Sequence, residues 1–254
     1  MSVPPAGPTP GPAGGTTSAR RSAARTAVVW EALDAVLGGH DAPAQVLDVG
    51  GGTGGFAVRV AEQGHRVTVV DPSPDALAIL DLRSEESGVA DRVTGIQGDL
   101  ATVSDLVDPG SVDVVLCHGV LEVVDEPDTA LAALAAVLRP GGTLSLLVSQ
   151  RHAAVVARAM AGHFGQARDL LGGQQPHGAP HRFTAEETST LLTGAGFTDI
   201  TLHAIRVFSD LVPSSLVDLE PGASAALAAL EEAVSGRPEY LTLATQVHAL
   251  ATRA

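Results

Sequence analysis

Lysine is missing altogether: all fifteen basic residues of this 254-residue chain are arginine, set against 29 acidic ones for a net charge of −14. A protein so acidic has no general attraction to nucleic acid or to an anionic membrane, so any contact with an anion must be made locally. Cysteine is nearly absent as well. The single thiol, Cys117, has no partner for an internal disulfide, which fits a reducing, cytoplasmic setting. No run of 18 or more apolar residues is present, so no segment is expected to span a bilayer. The first nineteen residues, MSVPPAGPTPGPAGGTTSA, lack a charged leader followed by an apolar stretch and are not expected to be a secretory signal. With five prolines, four glycines and no charge, they read as a disordered tail. Residues 20–254, within a chain that is 45% hydrophobic, are expected to form one domain.

The positive charge that is present is unevenly placed. Residues 151–206 carry five arginines (Arg151, Arg158, Arg168, Arg182 and Arg206) against four acids, and five of the nine histidines. An acidic protein that gathers cations in one region is expected to meet an anion there.

The hydrophobic pattern alternates between two periods. After an amphipathic helix at ARTAVVWEALDAVL, closed by Gly38 and Gly39, strand-like runs appear at QVLDVG, RVTVVD, RVTGIQGD, VDVVLCH and TLSLLVSQ, with helical patterns between them. Ser73-Pro74 marks one helix start, Thr184 with Glu187 makes a capping box, and Pro140-Gly141-Gly142 turns the chain into the next strand. Two more strands are expected at DITLHAIRVF and EYLTLATQVHAL, around a helix near ASAALAALEEAV. Together these predict an α/β fold: a Rossmann-like, doubly wound, seven-stranded and mostly parallel sheet with helices on both faces. Between about 150 and 183 the pattern loosens into a helix followed by GGQQPHGAPHR, expected to be a lid or an insertion.

The first strand ends in VLDVGGGTGG, residues 46–55. A glycine-rich turn that opens a helix lets a ligand approach backbone N–H groups closely, and Asp71, at the end of the next strand, can accept hydrogen bonds from two ribose hydroxyls. The glycine spacing fits both a dinucleotide pattern and a D-x-G-x-G-x-G pattern. Asp48 separates them, because a carboxylate there would repel a pyrophosphate but suits S-adenosylmethionine (SAM), which carries an ammonium and a sulfonium and no phosphate.

At these residues the chain resembles the class I SAM-dependent methyltransferases over about residues 20–150, with VLDVGGGTGG, VTVVDPSPDAL, GDL and LRPGG in that family's order. The resemblance implies that Gly50, Gly51 and Gly52 line the methionine and ribose, that Asp71 holds the ribose hydroxyls and that Asp99 and Leu100 flank the adenine, with Asp48 acting through backbone or water. The stretch after the fourth strand, LCHGVLEVVDEP, lacks the Pro-Pro-aromatic signature of nucleobase amino-methyltransferases. It is similar instead to the tRNA 5-carboxymethoxyuridine methyltransferases, which esterify a wobble-base carboxylate. ARTAVVWEALDAVL, LSLLVSQRHAAVVARAMAGHF, IRVFSDL and EYLTLATQVHAL carry the same likeness. It adds Arg25 and His118 as cofactor contacts.

A carboxylate acceptor needs no base to ionise it, and no nucleophile and base pair stands out in the sequence; alignment of oxygen, methyl and sulfur does most of the work. An arginine can fork onto both oxygens of such an acceptor, with Arg206 the first candidate and Arg151 the second. The insertion departs from the resemblance, which implies a lysine-rich run where GGQQPHGAPHR stands. Three readings therefore remain: a SAM-dependent enzyme acting on an anionic group of tRNA, one acting on a small metabolite, and a non-catalytic SAM-binding protein. His177 and His181 lack the further ligands of a metal site, and no metal is expected. Tyr240 and His248 fit either core or pocket.

Overall fold

In a computed structural model of the chain, the described residues are 17–173 and 178–254; the side chains of residues 17–25, 214, 218 and 219 are not described. The elements in chain order are α1 (Thr17–Leu37), β1 (Gln45–Val49), α2 (Ala57–Glu62), β2 (Arg66–Asp71), α3 (Pro74–Glu86), β3 (Val93–Gln97), α4 (Val103–Leu106), β4 (Val112–His118), α5 (Pro127–Val137) and β5 (Leu138–Ser149). They continue with α6 (Arg151–Met160), α7 (Phe164–Leu171), α8 (Ala185–Gly194), β6 (Phe197–Ile205), α9 (Ser214–Leu219), α10 (Ala223–Ser235), α11 (Pro238–Leu241) and β7 (Gln246–Arg253). The tail expected at 1–19 falls outside the described residues except for Thr17–Ala19, which begin α1.

One seven-stranded sheet runs in the order β3-β2-β1-β4-β5-β7-β6. The five strands from β3 to β5 are parallel, as their near-continuous apolar runs require once both faces are covered. β7 is antiparallel to both β5 and β6, so β6 runs in the direction of β5, and Ser149 and Ile205 both pair with Gln246. The carboxyl ends of β1, β4, β5 and β6 therefore open onto one edge of the sheet. The order reverses between β1 and β4, the switch point where such sheets leave a crevice.

Alternate side chains build a core on each face. Val115, Cys117, Leu144, Leu146, Leu131 and Leu134 belong to one, and Val29, Leu33, Val60, Val114 and Leu116 to the other. The expected boundaries hold at two helices. Ser73 Oγ accepts the Ala76 N–H at 3.2 Å ahead of Pro74, and Thr184 and Glu187 form a reciprocal capping box.

Two expected strands end differently. The stretch read as EYLTLATQVHAL begins inside a short helix, Pro238–Leu241, where Tyr240 and Leu241 pack against the small cluster of Ala204, Val207, Val234 and Ala244, and the strand begins only at Gln246. Arg206 is not inside a strand. β6 stops at Ile205, and Arg206 takes φ 61°, a left-handed turn that sends the chain off the sheet. The carboxylate of Glu231, buried in α10, holds that turn. Its two oxygens accept the N–H groups of Val207 (2.9 Å), Phe208 (3.0 Å) and Ser209 (2.7 Å) and the Ser209 hydroxyl (2.6 Å). Glu231→Ala would leave those donors without an acceptor and is expected to lower stability by about 2–4 kcal/mol in urea unfolding, with an unchanged midpoint as the contrary result.

Candidate active site

The loop after β1 is shaped by what its glycines allow. Gly50 (φ 70°) and Gly52 (φ 56°) sit in the left-handed region, and a Cβ on Gly50 would drive into the Val120 side chain. Gly51 lies over Asp48, where an added Cβ would come within 2.5 Å of the carboxylate. Asp71 ties this loop to the next: its Oδ2 accepts the Gly52 N–H and its Oδ1 the Ser73 N–H, both at 2.9 Å. A cleft of about 720 Å³ opens beside the loop, with Gly50, Asp71, Asp99, Leu100 and Val120 on its walls. The structure thus gathers four of the expected cofactor residues at one cavity. Asp99 also closes its own turn through Thr102, accepting the Thr102 N–H at 3.0 Å.

Asp48 lies buried under the loop, with Oδ2 lacking any hydrogen-bond partner among the described residues. Burial, reinforced by the charge of Asp71, pushes its carboxyl up to about 7. A cation bound over the loop would draw that group back toward its ionised form, so the site fits a positively charged ligand. The backbone of Arg25 is in α1, but its side chain is outside the described residues.

His118 ends β4, one residue before Gly119 on the cleft wall. Phe56 meets it edge-on at 4.6 Å and itself stacks on Trp30 at 4.6 Å. Burial lowers the His118 pKa to about 4, leaving the ring neutral. Its Nε2 is 2.9 Å from Ser145 Oγ, which is 2.8 Å from His248 Nε2, and His248 Nδ1 is 3.2 Å from His203 Nδ1. This chain crosses four strands on one face of the sheet, from fully buried Ser145 and His248 to half-buried His203. Burial also lowers the pKa of His203 and His248, and for His248 the neighbouring histidines add to the effect. His118 Nδ1 has no hydrogen-bond partner among the described residues. Cys117, buried next door, has its thiol pushed up to about 12 by burial and by the charges of Glu122 and Asp48, and is no nucleophile.

The two arginines expected to clamp an acceptor each make an ion pair through Nη2, while the Nε of each is buried without a hydrogen-bond partner among the described residues. Arg206 Nη2 pairs with Asp210 Oδ2 at 2.6 Å, and its Nη1 reaches Gln246 Oε1 at 3.4 Å. Arg151 Nη2 donates to Glu187 Oε2 at 2.8 Å and to the Arg182 carbonyl at 3.1 Å. The sequence pattern conceals these pairs, because Asp210 follows the turn at Arg206 and the spacing of Glu187 from Thr184 marks only a capping box. His177 lies outside the described residues. The His181 ring is tilted at 32° to that of Phe183 with centres 6.1 Å apart, and its backbone N–H donates to the Glu122 carbonyl at 2.7 Å.

A doubly wound sheet with a glycine loop after β1, a carboxylate at the end of β2 and a cleft at the switch point defines a class I SAM-dependent methyltransferase. Residues 47–146 match the family model described as a methyltransferase domain. The tRNA 5-carboxymethoxyuridine methyltransferase of Escherichia coli O157:H7 is 30% identical over 232 residues, covering 90% of this chain and 88% of that protein. A ubiquinone biosynthesis O-methyltransferase of Xanthomonas euvesicatoria pv. vesicatoria is 38% identical over 123 residues, 48% of this chain and 49% of that protein. Among solved structures, the Burkholderia thailandensis 1,6-didemethyltoxoflavin N1-methyltransferase, bound to its substrate and S-adenosylhomocysteine, superposes with a TM-score of 0.56. It has 24% identity and covers 94% of this chain and 81% of its own. The chain belongs to the SAM-dependent methyltransferases, in the family of the tRNA 5-carboxymethoxyuridine methyltransferases.

The buried acid under the loop has a measurable cost. A carboxyl whose folded pKa lies above its unfolded value withdraws no stability below about pH 4; the cost grows as pH rises to about 7 and is constant beyond. Three decades at about 1.4 kcal/mol each bound it at about 4 kcal/mol. Asp48→Asn is expected to match the parent near pH 4 and to exceed its stability above pH 7 by up to that amount. Parallel pH–stability curves in urea unfolding would contradict the placement of this carboxyl.

Proposed function

We propose that the protein transfers the methyl group of SAM to a carboxylate, that of a 5-carboxymethoxy group on a wobble uridine of tRNA. The observation that carries this reading is the reach of the E. coli likeness: it extends over 90% of the chain, well past the methyltransferase domain at 47–146, into the segments that follow β5. The cytoplasm, where tRNA is modified, is the proposed location; no described helix is long and apolar enough to cross a membrane.

In this proposal Gly50, Gly51 and Gly52 offer backbone to the methionine and ribose, and Asp71 accepts from the ribose hydroxyls while keeping its two loop contacts. Asp99 and Leu100 bound the adenine, Asp48 answers the cofactor's positive charge through the loop above it, and Arg25 and His118 complete the cofactor contacts. Bound SAM supplies an electrophilic methyl on a sulfonium and leaves as a neutral thioether. The acceptor is already ionised, so the chain's task is to exclude water and hold one carboxylate oxygen in line, with no proton to remove. The high thiol pKa of Cys117 and the low pKa of His118 suit a site that performs no acid–base or covalent step. Arg206 and Arg151 each commit Nη2 to Asp210 or Glu187 and keep a buried Nε with no hydrogen-bond partner among the described residues.

A second reading, methylation of a small carboxylate metabolite, draws on the net charge of −14 and on the O-methyltransferase likeness confined to half the chain. Labelled SAM offered with bulk tRNA and, separately, with a small-molecule extract separates the two. Expected is label in tRNA that mild alkali releases as methanol, the behaviour of an ester; label confined to small molecules, or alkali-stable label in tRNA, would overturn the proposal. Asp71→Ala is expected to weaken SAM binding at least about tenfold by calorimetry, the loss of one charged hydrogen bond or more. Unchanged affinity would refute the cofactor placement.

A further inference from the structure

His118, Leu147, His248 and His203 stand at one level across four strands, each the register partner of the next. Leu147 carries no polar group, and Ser145, two residues back on the same face of β5, bridges the gap between the His118 and His248 rings at 2.9 and 2.8 Å. The side chains around this row on the same face, Val114, Leu116 and Leu147, belong to the apolar core. Apolar residues would fill the positions of Ser145 and His248 without the cost of burying polar atoms, so packing alone gives no reason for them.

The row leads to the seam between the loop after β1 and the end of β4. Phe56, which follows Gly55 of the loop, meets the His118 ring edge-on, and Gly119 and Val120, which follow His118, are on the wall of the cofactor cleft. Phe56 and Ser145 thus fix the ring through two separate contacts, and Nδ1 is its remaining polar atom. The choice of a hydroxyl at Nε2 is informative. A carboxylate there would favour an imidazolium, which would repel the sulfonium and ammonium of SAM, whereas a hydroxyl both donates and accepts and serves a neutral ring. Burial keeps the ring in that neutral form.

Resting on the reading of His118 as a cofactor contact, we infer that Ser145 and His248 are positioning residues of the methyl-transfer site, holding His118 in one orientation so that Nδ1 serves the bound cofactor. Both are fully buried and act only through His118. His203, on the edge strand, holds the far side of His248 through Nδ1 at 3.2 Å.

A double-mutant cycle on the full chain, with SAM affinity measured by calorimetry, tests this. His118→Ala is expected to weaken SAM binding about three- to tenfold, the loss of one neutral hydrogen bond. Ser145→Ala and His248→Phe are each expected to weaken it in the parent by about threefold or more, and to have no effect once His118 is alanine. The two variants break the row at different points, so either one carries the test if the other does not fold. Parental affinity in both, beside a loss in His118→Ala, would overturn the positioning role and leave His118 as a contact. Equal losses with and without His118 would also overturn it, since that is the behaviour of a loosened core. Unchanged affinity in His118→Ala would remove the contact itself and the inference with it.

Discussion

The carboxylate of Asp71 is the fixed point of the cofactor side of the molecule. One oxygen holds the loop after β1 and the other the turn that begins α3, so the two loops that bound the cleft cannot move apart without breaking a charged hydrogen bond. Such bonds are roughly twice as strong as neutral ones. The same charge bears on Asp48 under the loop and adds to the burial that raises its carboxyl to about 7. Loop shape and loop electrostatics therefore have a common origin.

The edge of the sheet beyond β5 depends on a different constraint, the shared direction of β5 and β6. Because β7 pairs in the same sense with both of its neighbours, β6 ends at the same edge as β5, and the turn at Arg206 follows there. Glu231 keeps that turn in place by accepting three successive backbone N–H groups. Phe208 and Leu211, just after that turn, line a cavity of about 310 Å³ along α6 together with Arg158 and Arg182.

Much of this was legible in the residues themselves. VLDVGGGTGG and Asp71 reveal themselves through spacing, since strand period, glycine turn and helix follow one another within a single local stretch, and Ser73-Pro74 and Thr184-Glu187 are equally local signals. What stayed hidden depends on contacts between distant positions. Glu231 looks like an ordinary polar residue of an amphipathic helix until β6 is known to stop at Ile205. Arg206 looks like a strand cation because nothing in IRVFSDL marks a left-handed residue that is not glycine. Nothing local in the sequence connects the histidines, because His118, Ser145, His248 and His203 meet only through the register of four strands.

That histidine chain has a further consequence. With all three rings neutral, each carries one ring hydrogen, and Ser145 has one to give. If His203 donates to His248, then His248 donates to Ser145, Ser145 to His118, and the outer nitrogen of His118 must carry a hydrogen. If His248 donates to His203 instead, every bond reverses and that nitrogen becomes bare. The interior of the sheet thus stores a single binary digit, written at a half-exposed ring on its edge strand and read beside the cofactor cleft as either a donor or an acceptor.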